Sequence, residues 1–406
     1  MARRGRFLMH RDKPGSAAEV FLAFLKLGLT SFGGPVAHLG YFREEIVERR
    51  GWVDDHAYGD LVALSQFLPG PSSSQVGIAL GTVRAGVRGG LAAWLGFTLP
   101  SAILMILFAL GVSWFDLDAG WLAGLKIVAV AVVARAVWSM GRQLCPDWRR
   151  AGFAASATAA VLAWPGPLGQ IAAILLGGAL GWLVLDKGEG APPQALNHGV
   201  SRPLAVVCLV LFALLLALLP LGAAMIDARP LALVDSFYRS GALVFGGGHV
   251  ILPLLQAEVV PPGWIDRDAF LAGYGAAQAL PGPLLTFSAY LGAMIDPRWA
   301  GLPVALLCLV AVFAPSFLLV IGMLPFWDAL RRFGAAQAAM AGINAAVVGL
   351  LLAALYDPVW TGAIRAPEDL ALAAAALGAL AWAKLPPWLV VIACGLAGAL
   401  ISGWSG

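Results

Sequence analysis

Long apolar segments alternate with short polar connections along almost the whole chain, a pattern that predicts helices crossing a membrane. A first set of six apolar segments occupies residues 17–36, 57–83, 91–114, 121–143, 151–164 and 168–185. A second set begins near residues 233, 268, 300, 336, 368 and 385, and one further apolar run, 204–226, separates the sets. Segments of roughly 20 apolar residues match the hydrocarbon thickness of a bilayer. The pattern predicts an all-α, polytopic membrane protein.

Composition agrees with this prediction. Of the 406 residues, 60% are hydrophobic and 12% charged, and the mean hydropathy is +0.83, which leaves no room for a sizeable soluble domain. The N-terminus, MARRGRFLMHRDKPGSAAEV, is basic but lacks the apolar core and cleavage site of a signal peptide. We expect residues 1–16 to remain as a cytosolic tail.

Charge, cysteine and histidine patterns exclude several functions. The net charge of +3 reflects mostly loop Lys and Arg, which report topology, so nucleic-acid binding is not expected. The four cysteines show no CxxC spacing and the five histidines form no metal pattern. We expect small buried thiols, no metal and no other cofactor.

The second half of the chain repeats the glycine and proline motifs of the first half in the same order. FLKLGLTSFGG at 24–34 matches FYRSGALVFGG at 237–247, and QFLPGP at 66–71 matches QALPGP at 278–283. Further matches, in the same order, join Pro100-Ser101 to Pro315-Ser316 and 124–137 to 342–355. We predict a first repeat at 17–185, a linker with an unpaired transmembrane helix at 186–230, and a second repeat at 231–406.

The unpaired segment should turn the second repeat upside down. Any even number of crossings per repeat returns the chain to its starting side, so one extra crossing produces inverted repeats. Arg and Lys favour cytoplasmic loops, and their distribution here places the N-terminus in the cytoplasm and the C-terminus on the opposite side. We expect a protein of the bacterial inner membrane, with the lipid bilayer as its solvent.

Glycine and proline interrupt the first two segments of each repeat, at FGG and at PGP. These segments either cross as broken helices or dip in and return, giving thirteen or about nine crossings in total. The basic loop 42–56 favours the second option in the first repeat. In the second repeat the sequence does not decide.

Irregular backbone inside a membrane indicates an interior site. An unpaired backbone group in hydrocarbon costs several kcal/mol, so such breaks persist where protein or a water-filled cavity covers them. After Pro71, the amides of 72–74 lack intrahelical acceptors, and together with the helix dipole they favour an anion. In the second repeat, 284–286 follow Pro283 in the same way. A simple kink is the alternative, but matched breaks in two repeats favour a site.

Two cations in apolar segments also indicate an anionic substrate. Lys26 and its repeat equivalent Arg239 have no acid at the following helical-neighbour positions. A cation near a helix centre costs ~2.5–3.5 kcal/mol on insertion scales, and a bound dianion would offset this. The alternative is that Lys26, about two turns from its segment start, extends to the membrane interface.

Other ionisable residues are weaker candidates. His38 and His249 follow the glycine-rich breaks and either bind an oxyanion, carry a proton or bond to nearby backbone. Glu44 and Glu45 are expected on a solvated face at the membrane edge, although Glu45 is also a candidate for a proton or gating role. Lys126 and Arg135 either line the pathway or pair locally.

The stretches KLGLTSFGGPVAHLGYFREEIVERRGWVDD, ALSQFLPGPSSSQVGIALG, FYRSGALVFGGGHVILPLLQ and AAQALPGPLLTFSAYLG resemble the chromate ion transporter family, in its long form with two homologous halves. The resemblance implies export of chromate powered by the proton motive force. The family motif falls on Lys26, Phe32, Gly33, Gly34, His38, Glu45, Trp52, Gln66, Pro69, Gly70, Pro71, Arg239, Phe245, Gly246, Gly247, Gln278, Pro281, Gly282 and Pro283. Many relatives have Asn after the first PGP, whereas this chain has Ser72, Ser73 and Ser74, which leaves the direct ligands open.

Two alternative functions remain at this level. Sulfate has the charge and shape of chromate, so a sulfate or other oxyanion transporter fits the same residues. From another class, a polyprenyl diphosphate phosphatase would also combine inverted repeats with acidic residues and a Pro-Gly turn before serines. That enzyme would require an Arg between the serines, and here Gln75 follows them. Whether the chain forms a homodimer is left open.

Overall fold

A computed structural model of the protein describes residues 15–114, 119–186, 199–295 and 301–405. Most of the predicted N-terminal tail and residues 187–198 of the linker lie outside the described residues. In the described ranges every regular element is helical, which confirms the all-α prediction. The helices are α1 (Ala17–Thr30), α2 (Gly34–Phe42), α3 (Asp55–Phe67), α4 (Ser72–Trp114), α5 (Ala119–Leu144), α6 (Trp148–Ala163), α7 (Pro167–Val184), α8 (Arg202–Met225), α9 (Arg229–Ala242), α10 (Ile251–Val259), α11 (Arg267–Ala277), α12 (Phe287–Ile295), α13 (Leu302–Met323), α14 (Trp327–Leu330), α15 (Gly334–Ala354), α16 (Thr361–Ala363), α17 (Pro367–Ala381) and α18 (Pro387–Ser405).

Long apolar helices dominate this architecture. Within the described ranges, 6 helical stretches are long and apolar enough to cross a membrane, namely Ser72–Val112, Gly120–Leu144, Pro167–Val184, Arg202–Met225, Leu302–Leu330 and Gly334–Ala363. Helix α8, the unpaired segment, is the most apolar of them and has little of its surface buried within the chain. An apolar helix with an uncovered surface is suited to contact with lipid.

Helix α4 is a hairpin of two arms. Ala85 and Gly86 leave helical geometry, and Gly86 has a φ of 66°. A Cβ on Gly81 would overlap the Gly89 carbonyl, although residues eight apart in a straight helix lie about 12 Å apart. The chain therefore doubles back, and we name Ser72–Arg84 the N-arm and 87–114 the C-arm.

The first two segments of the first repeat begin and end at the same end of the molecule. The Trp52 indole N–H, just before α3, donates to Glu19 in the first turn of α1 at 3.1 Å. The guanidinium of Arg84, at the end of the N-arm, lies 5.4 Å from the Trp52 ring centre. Gly15 N–H, just before α1, donates to the Arg84 carbonyl at 3.2 Å. These contacts fit the re-entrant option, because the starts of α1 and α3 and the end of the N-arm meet.

The second repeat has the same arrangement, which the sequence left undecided. The Arg229 guanidinium at the start of α9 donates to the Ile295 carbonyl at the end of α12, at 3.2 Å. The Tyr290 hydroxyl on α12 donates to the Ala269 carbonyl near the start of α11, at 2.8 Å. Helix α12 therefore returns alongside α11, to the end from which α9 enters.

The repeats exchange their last helices. Helices α6 and α7 of the first repeat pack on α15 of the second, while α17 and α18 of the second pack on α5 of the first. Glycines allow close approach at both places, since a Cβ on Gly342 would lie 2.7 Å from Gly181 Cα and one on Gly398 would lie 2.8 Å from Gly124 Cα. This exchange joins the two repeats into one helical body.

Candidate anion site

Each PGP break is bonded to the FGG break of the other repeat. Gly70 N–H donates to the carbonyl of Val244, which precedes the second FGG, at 2.6 Å. Gly282 N–H donates to the carbonyl of Ser31, which precedes Phe32 of the first FGG, at 3.0 Å. The two bonds are reciprocal and join the four breaks in two pairs. His38, after the first FGG, lies 3.2 Å from Ser73, after the first PGP, so the two pairs also meet. We call residues 31–34, 69–71, 244–247 and 281–283 the junction.

The repeated Pro-Ser pairs complete the junction in the same reciprocal way. A Cβ on Gly70 would lie 2.7 Å from Ser316 Oγ, and one on Gly282 would lie 2.9 Å from Ser101 Oγ. Both glycines also have positive φ, 134° and 91°, a region that side chains disfavour. Glycine is therefore required at both positions by conformation and by contact.

Free backbone donors follow the first break, as the sequence predicts. Helix α4 begins at Ser72, directly after Pro71. In the described part of the chain the amides of 72–74 have no acceptor, and the first bonded amide is that of Gln75, which donates to the Pro71 carbonyl at 3.0 Å. The N-terminus of the N-arm thus offers three amides and the positive end of a helix dipole.

The second break offers fewer donors than the sequence indicated. Leu284–Thr286 form a 3-10 turn rather than the start of an α-helix, and Thr286 N–H donates to the Pro283 carbonyl at 3.1 Å. The expectation of a free Thr286 amide is wrong, because the tighter turn supplies an acceptor three residues back. The first break therefore offers more free amides than the second.

Buried polar atoms without partners surround the first break. Among the described residues, the hydroxyls of Ser31, Ser74 and Ser316 and the amide oxygen of Gln75 are buried and accept or donate no hydrogen bond. Buried polar atoms in folded proteins usually have a hydrogen-bond partner, so these atoms have bonding capacity for a ligand. Sequence reasoning missed Ser31, Ser316 and Gln75 as site residues, although the Pro-Ser match had been visible.

Lys26 is neither unpaired nor deeply buried. Its ammonium lies 2.7 Å from Glu45 Oε2, and 51% of its side chain is exposed. Glu45 also accepts from Arg50 Nε at 2.9 Å and is 7% exposed, so the expectation of a solvated face is wrong for Glu45. The π-helical turn Arg43–Arg49 directs Glu45 back towards α1. Glu44 does lie on the solvated side, half exposed and paired with Arg49.

The environment of Glu45 favours a fixed countercharge over a proton carrier. This residue lies in a charged turn outside the six candidate membrane spans. Burial raises the pKa of the Glu45 carboxyl, but hydrogen bonds from Lys26 and Arg50 and the charges of both groups outweigh burial and lower it. Glu45 is therefore ionised at neutral pH.

Arg239 is held by two acids. Its Nη2 lies 2.7 Å from Asp235 Oδ2 and 3.0 Å from Glu258 Oε2. The expectation of a cation without an acidic partner is wrong here, because Asp235 precedes Arg239 by one helical turn and Glu258 comes from α10. The pairs Lys26–Glu45 and Arg239–Glu258 share one repeat offset, 213 residues, a signal that the sequence carried.

The remaining candidates lie in mixed surroundings. His38 Nδ1 lies 3.2 Å from Ser73 Oγ beside the first break, and His249 Nδ1 lies 2.9 Å from the Tyr274 hydroxyl. His38 also forms a hydrogen bond with the backbone of Ser31, whereas the contact of His249 is with a side chain. Gln66 is exposed on α3 and Gln278 is half-buried after α11.

Lys126 and Arg135 differ in their surroundings. Lys126 pairs with Asp268 at 2.9 Å, which fits local pairing, whereas Arg135 is exposed on α5. In the described ranges no group of three His, Cys, Asp or Glu side chains is arranged to hold a metal ion.

The matched breaks and paired cations occur within regions that a known family shares. The family model described as "Chromate transporter" matches residues 18–182 and 231–399. The chain belongs to the chromate transporter family. This family comprises membrane transport proteins, so the chain is a transporter rather than an enzyme and the phosphatase alternative is wrong.

Relatives of the family match almost the full length. The chromate transport protein of Pseudomonas aeruginosa is 31% identical over 96% of this chain and 93% of its own length. The chromate transport protein of Cupriavidus metallidurans is 27% identical over 96% of this chain and 94% of its own. The probable chromate transport protein of Synechococcus elongatus is 28% identical over 93% and 98%. No solved structure matches the chain significantly.

Proposed function

We propose that this transporter exports chromate from the cytoplasm across the bacterial inner membrane, driven by the proton motive force. The observation that carries the proposal is the reciprocal bonding of each PGP break to the opposite FGG break. It brings the free amides of 72–74 together with the unpartnered hydroxyls of Ser31, Ser74 and Ser316. A tetrahedral dianion accepts several hydrogen bonds at once, which suits this set of donors. The names of three relatives support chromate as the dianion.

The cations give the proposed path its charge. Lys26 has half of its side chain exposed, and around Glu45 it belongs to a group with more cations than acids. Arg239 occupies the equivalent place in the second repeat. We assign both to attraction of the oxyanion, with the junction motifs Gly33, Gly34, Pro69, Gly70, Pro71, Gly246, Gly247, Pro281, Gly282 and Pro283 forming the backbone of the path.

The proposal includes inverted repeats, at 17–185 and 231–406. At 1.5 Å per residue the C-arm is about 40 Å long. This length carries the chain from the end of the molecule where Arg84 lies, here called the Arg84 end, to the opposite end, where α5 begins. Lys126 near the start of α5 pairs with Asp268 near the start of α11. Helix α3, by contrast, begins at the Arg84 end, through Trp52. The starts of α3 and α11 thus favour opposite sides, with α8 as the extra crossing.

Thiol labelling tests the inversion. In a variant without native cysteines, we expect Glu48→Cys in the first repeat to react with a membrane-impermeant maleimide from the cytoplasmic side, and Glu368→Cys in the second from the outside. Both residues are exposed, and the N-terminus is proposed to be cytoplasmic. Labelling of both cysteines from one side contradicts the inversion.

Transport into inside-out vesicles tests the function. We expect saturable uptake of labelled chromate that increases when a proton gradient is imposed, with sulfate as a competitor. Vesicles with equal amounts of an unrelated membrane protein are the control. Uptake of sulfate without chromate would identify a sulfate transporter, and uptake of neither would contradict the proposal.

A further inference from the structure

The charge clusters of the two repeats are unequal. In the first repeat, the Glu45 carboxylate faces three cations, Lys26, Arg49 and Arg50. In the second, the guanidinium of Arg239 faces two carboxylates. Glu44 also pairs with Arg49, so the first cluster has three cations and two acids, whereas the second has one cation and two acids. Two equivalent places in a duplicated transporter thus have opposite charge balance.

Asp235 and Glu258 are close together and well buried. Each side chain is 9% exposed, and both contact the same guanidinium nitrogen. This brings the two carboxylates near the ~4–6 Å range in which like charges change each other's proton affinity. The Ser236 hydroxyl donates to Glu258 Oε2 at 2.9 Å. Asp235 Oδ1 is buried and has no hydrogen-bond partner among the described residues.

No neighbouring helix supplies the missing positive charge. Helix α9 packs against α8, α10 and α13, and α10 packs against α7 and α15. Helices α7, α13 and α15 contain no charged residue, and the single cation of α8 is Arg202 at its first position. Arg229, at the first position of α9, donates to the Ile295 carbonyl, and His249, in the 3-10 turn beside α10, bonds to the Tyr274 hydroxyl. The remaining titratable groups on these elements are the thiols of Cys208 and Cys308 and the Tyr238 hydroxyl, which donates to the Phe212 carbonyl.

One of the two acids must therefore carry a proton while the three side chains are buried together. A buried ion without a countercharge costs several kcal/mol, and a carboxylate avoids this cost by protonation. The proton belongs to the pair rather than to one residue, since interacting acids titrate together. The unpartnered Asp235 Oδ1 gives it a place that no other donor occupies.

We propose that Asp235 and Glu258 form the proton-binding site of this transporter, which takes up one proton and releases it within each transport cycle. Uptake changes the three-residue cluster with Arg239 from one net negative charge to neutral, and release restores the charge. The inference rests on the proposed proton-coupled function. It assigns the coupling proton to the second repeat, where proton uptake removes the excess negative charge around Arg239 and so permits this cation to attract the anion together with the cations of the first repeat.

Proteoliposomes that contain purified protein and a pH-sensitive dye test this assignment. Two fluxes are measured: the proton flux that chromate induces, and the exchange of labelled for unlabelled chromate, which needs no net proton movement. We expect Glu258→Gln and Asp235→Asn each to reduce the proton flux at least 10-fold while exchange continues. Glu368→Gln, the same change at an exposed carboxyl on α17, should leave both fluxes unchanged.

Three results would overturn the assignment, and they differ in what else they exclude. Wild-type proton flux in both variants would show that the proton binds elsewhere. Loss of exchange together with proton flux in both would limit the acids to positioning Arg239. Chromate transport without proton flux in the wild-type protein would reject the proposed coupling itself, before any variant is compared.

Discussion

Lys26→Ala is expected to abolish chromate uptake while the protein remains in the membrane at its normal level. Glu45 keeps Arg49 and Arg50 as partners, so the substitution leaves no buried carboxylate without a countercharge. The substitution removes an ammonium group that is half exposed and therefore accessible to an oxyanion. Vesicle uptake and quantitative membrane blotting measure the two effects separately.

Arg239→Ala is expected to abolish uptake as well, but with a cost in stability. The substitution leaves Asp235 and Glu258 without a countercharge, and removing one partner of a buried ion pair lowers the free energy of unfolding by ~3–5 kcal/mol. Arg239→Lys keeps the charge and should retain both stability and part of the transport. The matched control is Arg88→Ala, which removes an exposed cation near the bend of α4. Full transport by both Lys26→Ala and Arg239→Ala would contradict a role for these cations.

Gly70→Ala and Gly282→Ala should each reduce transport more than 10-fold. Either side chain would require a disfavoured positive φ and would press on the Ser316 or Ser101 hydroxyl of the opposite repeat. The cross-repeat hydrogen bonds would then be displaced, and with them the junction.

Gly199→Ala separates these two causes. Gly199 also has a positive φ, 64°, but a Cβ there would contact nothing within 4 Å. We expect transport by this control to stay near normal. Equal transport by all three variants would mean that close packing at the junction does not matter for function.

Local signals in the sequence were sufficient to predict the helices and the positions at which they are interrupted. Apolar segment length predicted the helices, and the unpaired run 204–226 appears as α8. The Pro-Gly-Pro sequence located the break before Ser72, because proline inside a helix removes a backbone hydrogen bond and clashes with the preceding turn. The bend at Gly86 falls between the predicted segments 57–83 and 91–114, so the sequence located this turn as well.

Partners across the repeats could not be predicted in the same way. The sequence locates PGP and FGG but not which copy of each will pair, and the bond between Gly70 and Val244 is made between residues 174 positions apart. The acids of Arg239 were missed because only positions following the cation along its helix were considered. Applying the repeat offset to Glu45 would have identified Glu258.

The chemistry of the proposed path, which consists of the junction, the amides of 72–74 and the two cations, selects a class of substrates rather than one substrate. Amides, hydroxyls and two cations favour a small dianion over neutral or cationic solutes. Chromate and sulfate share charge and shape, so this geometry alone fits both. The vesicle competition between them therefore decides the physiological substrate, while the location of the site is tested by binding.

Chromate binding to purified protein tests the location of the site most directly. Ser74→Ala and Ser316→Ala each remove a buried, unpartnered hydroxyl at the first break, and a hydrogen bond to a charged ligand contributes ~1.5–3 kcal/mol. We expect the dissociation constant for chromate to rise at least about 10-fold in each variant. It should stay unchanged in Ser156→Ala, whose exposed hydroxyl lies on α6. Wild-type affinity in both junction variants would contradict an anion site where the breaks meet.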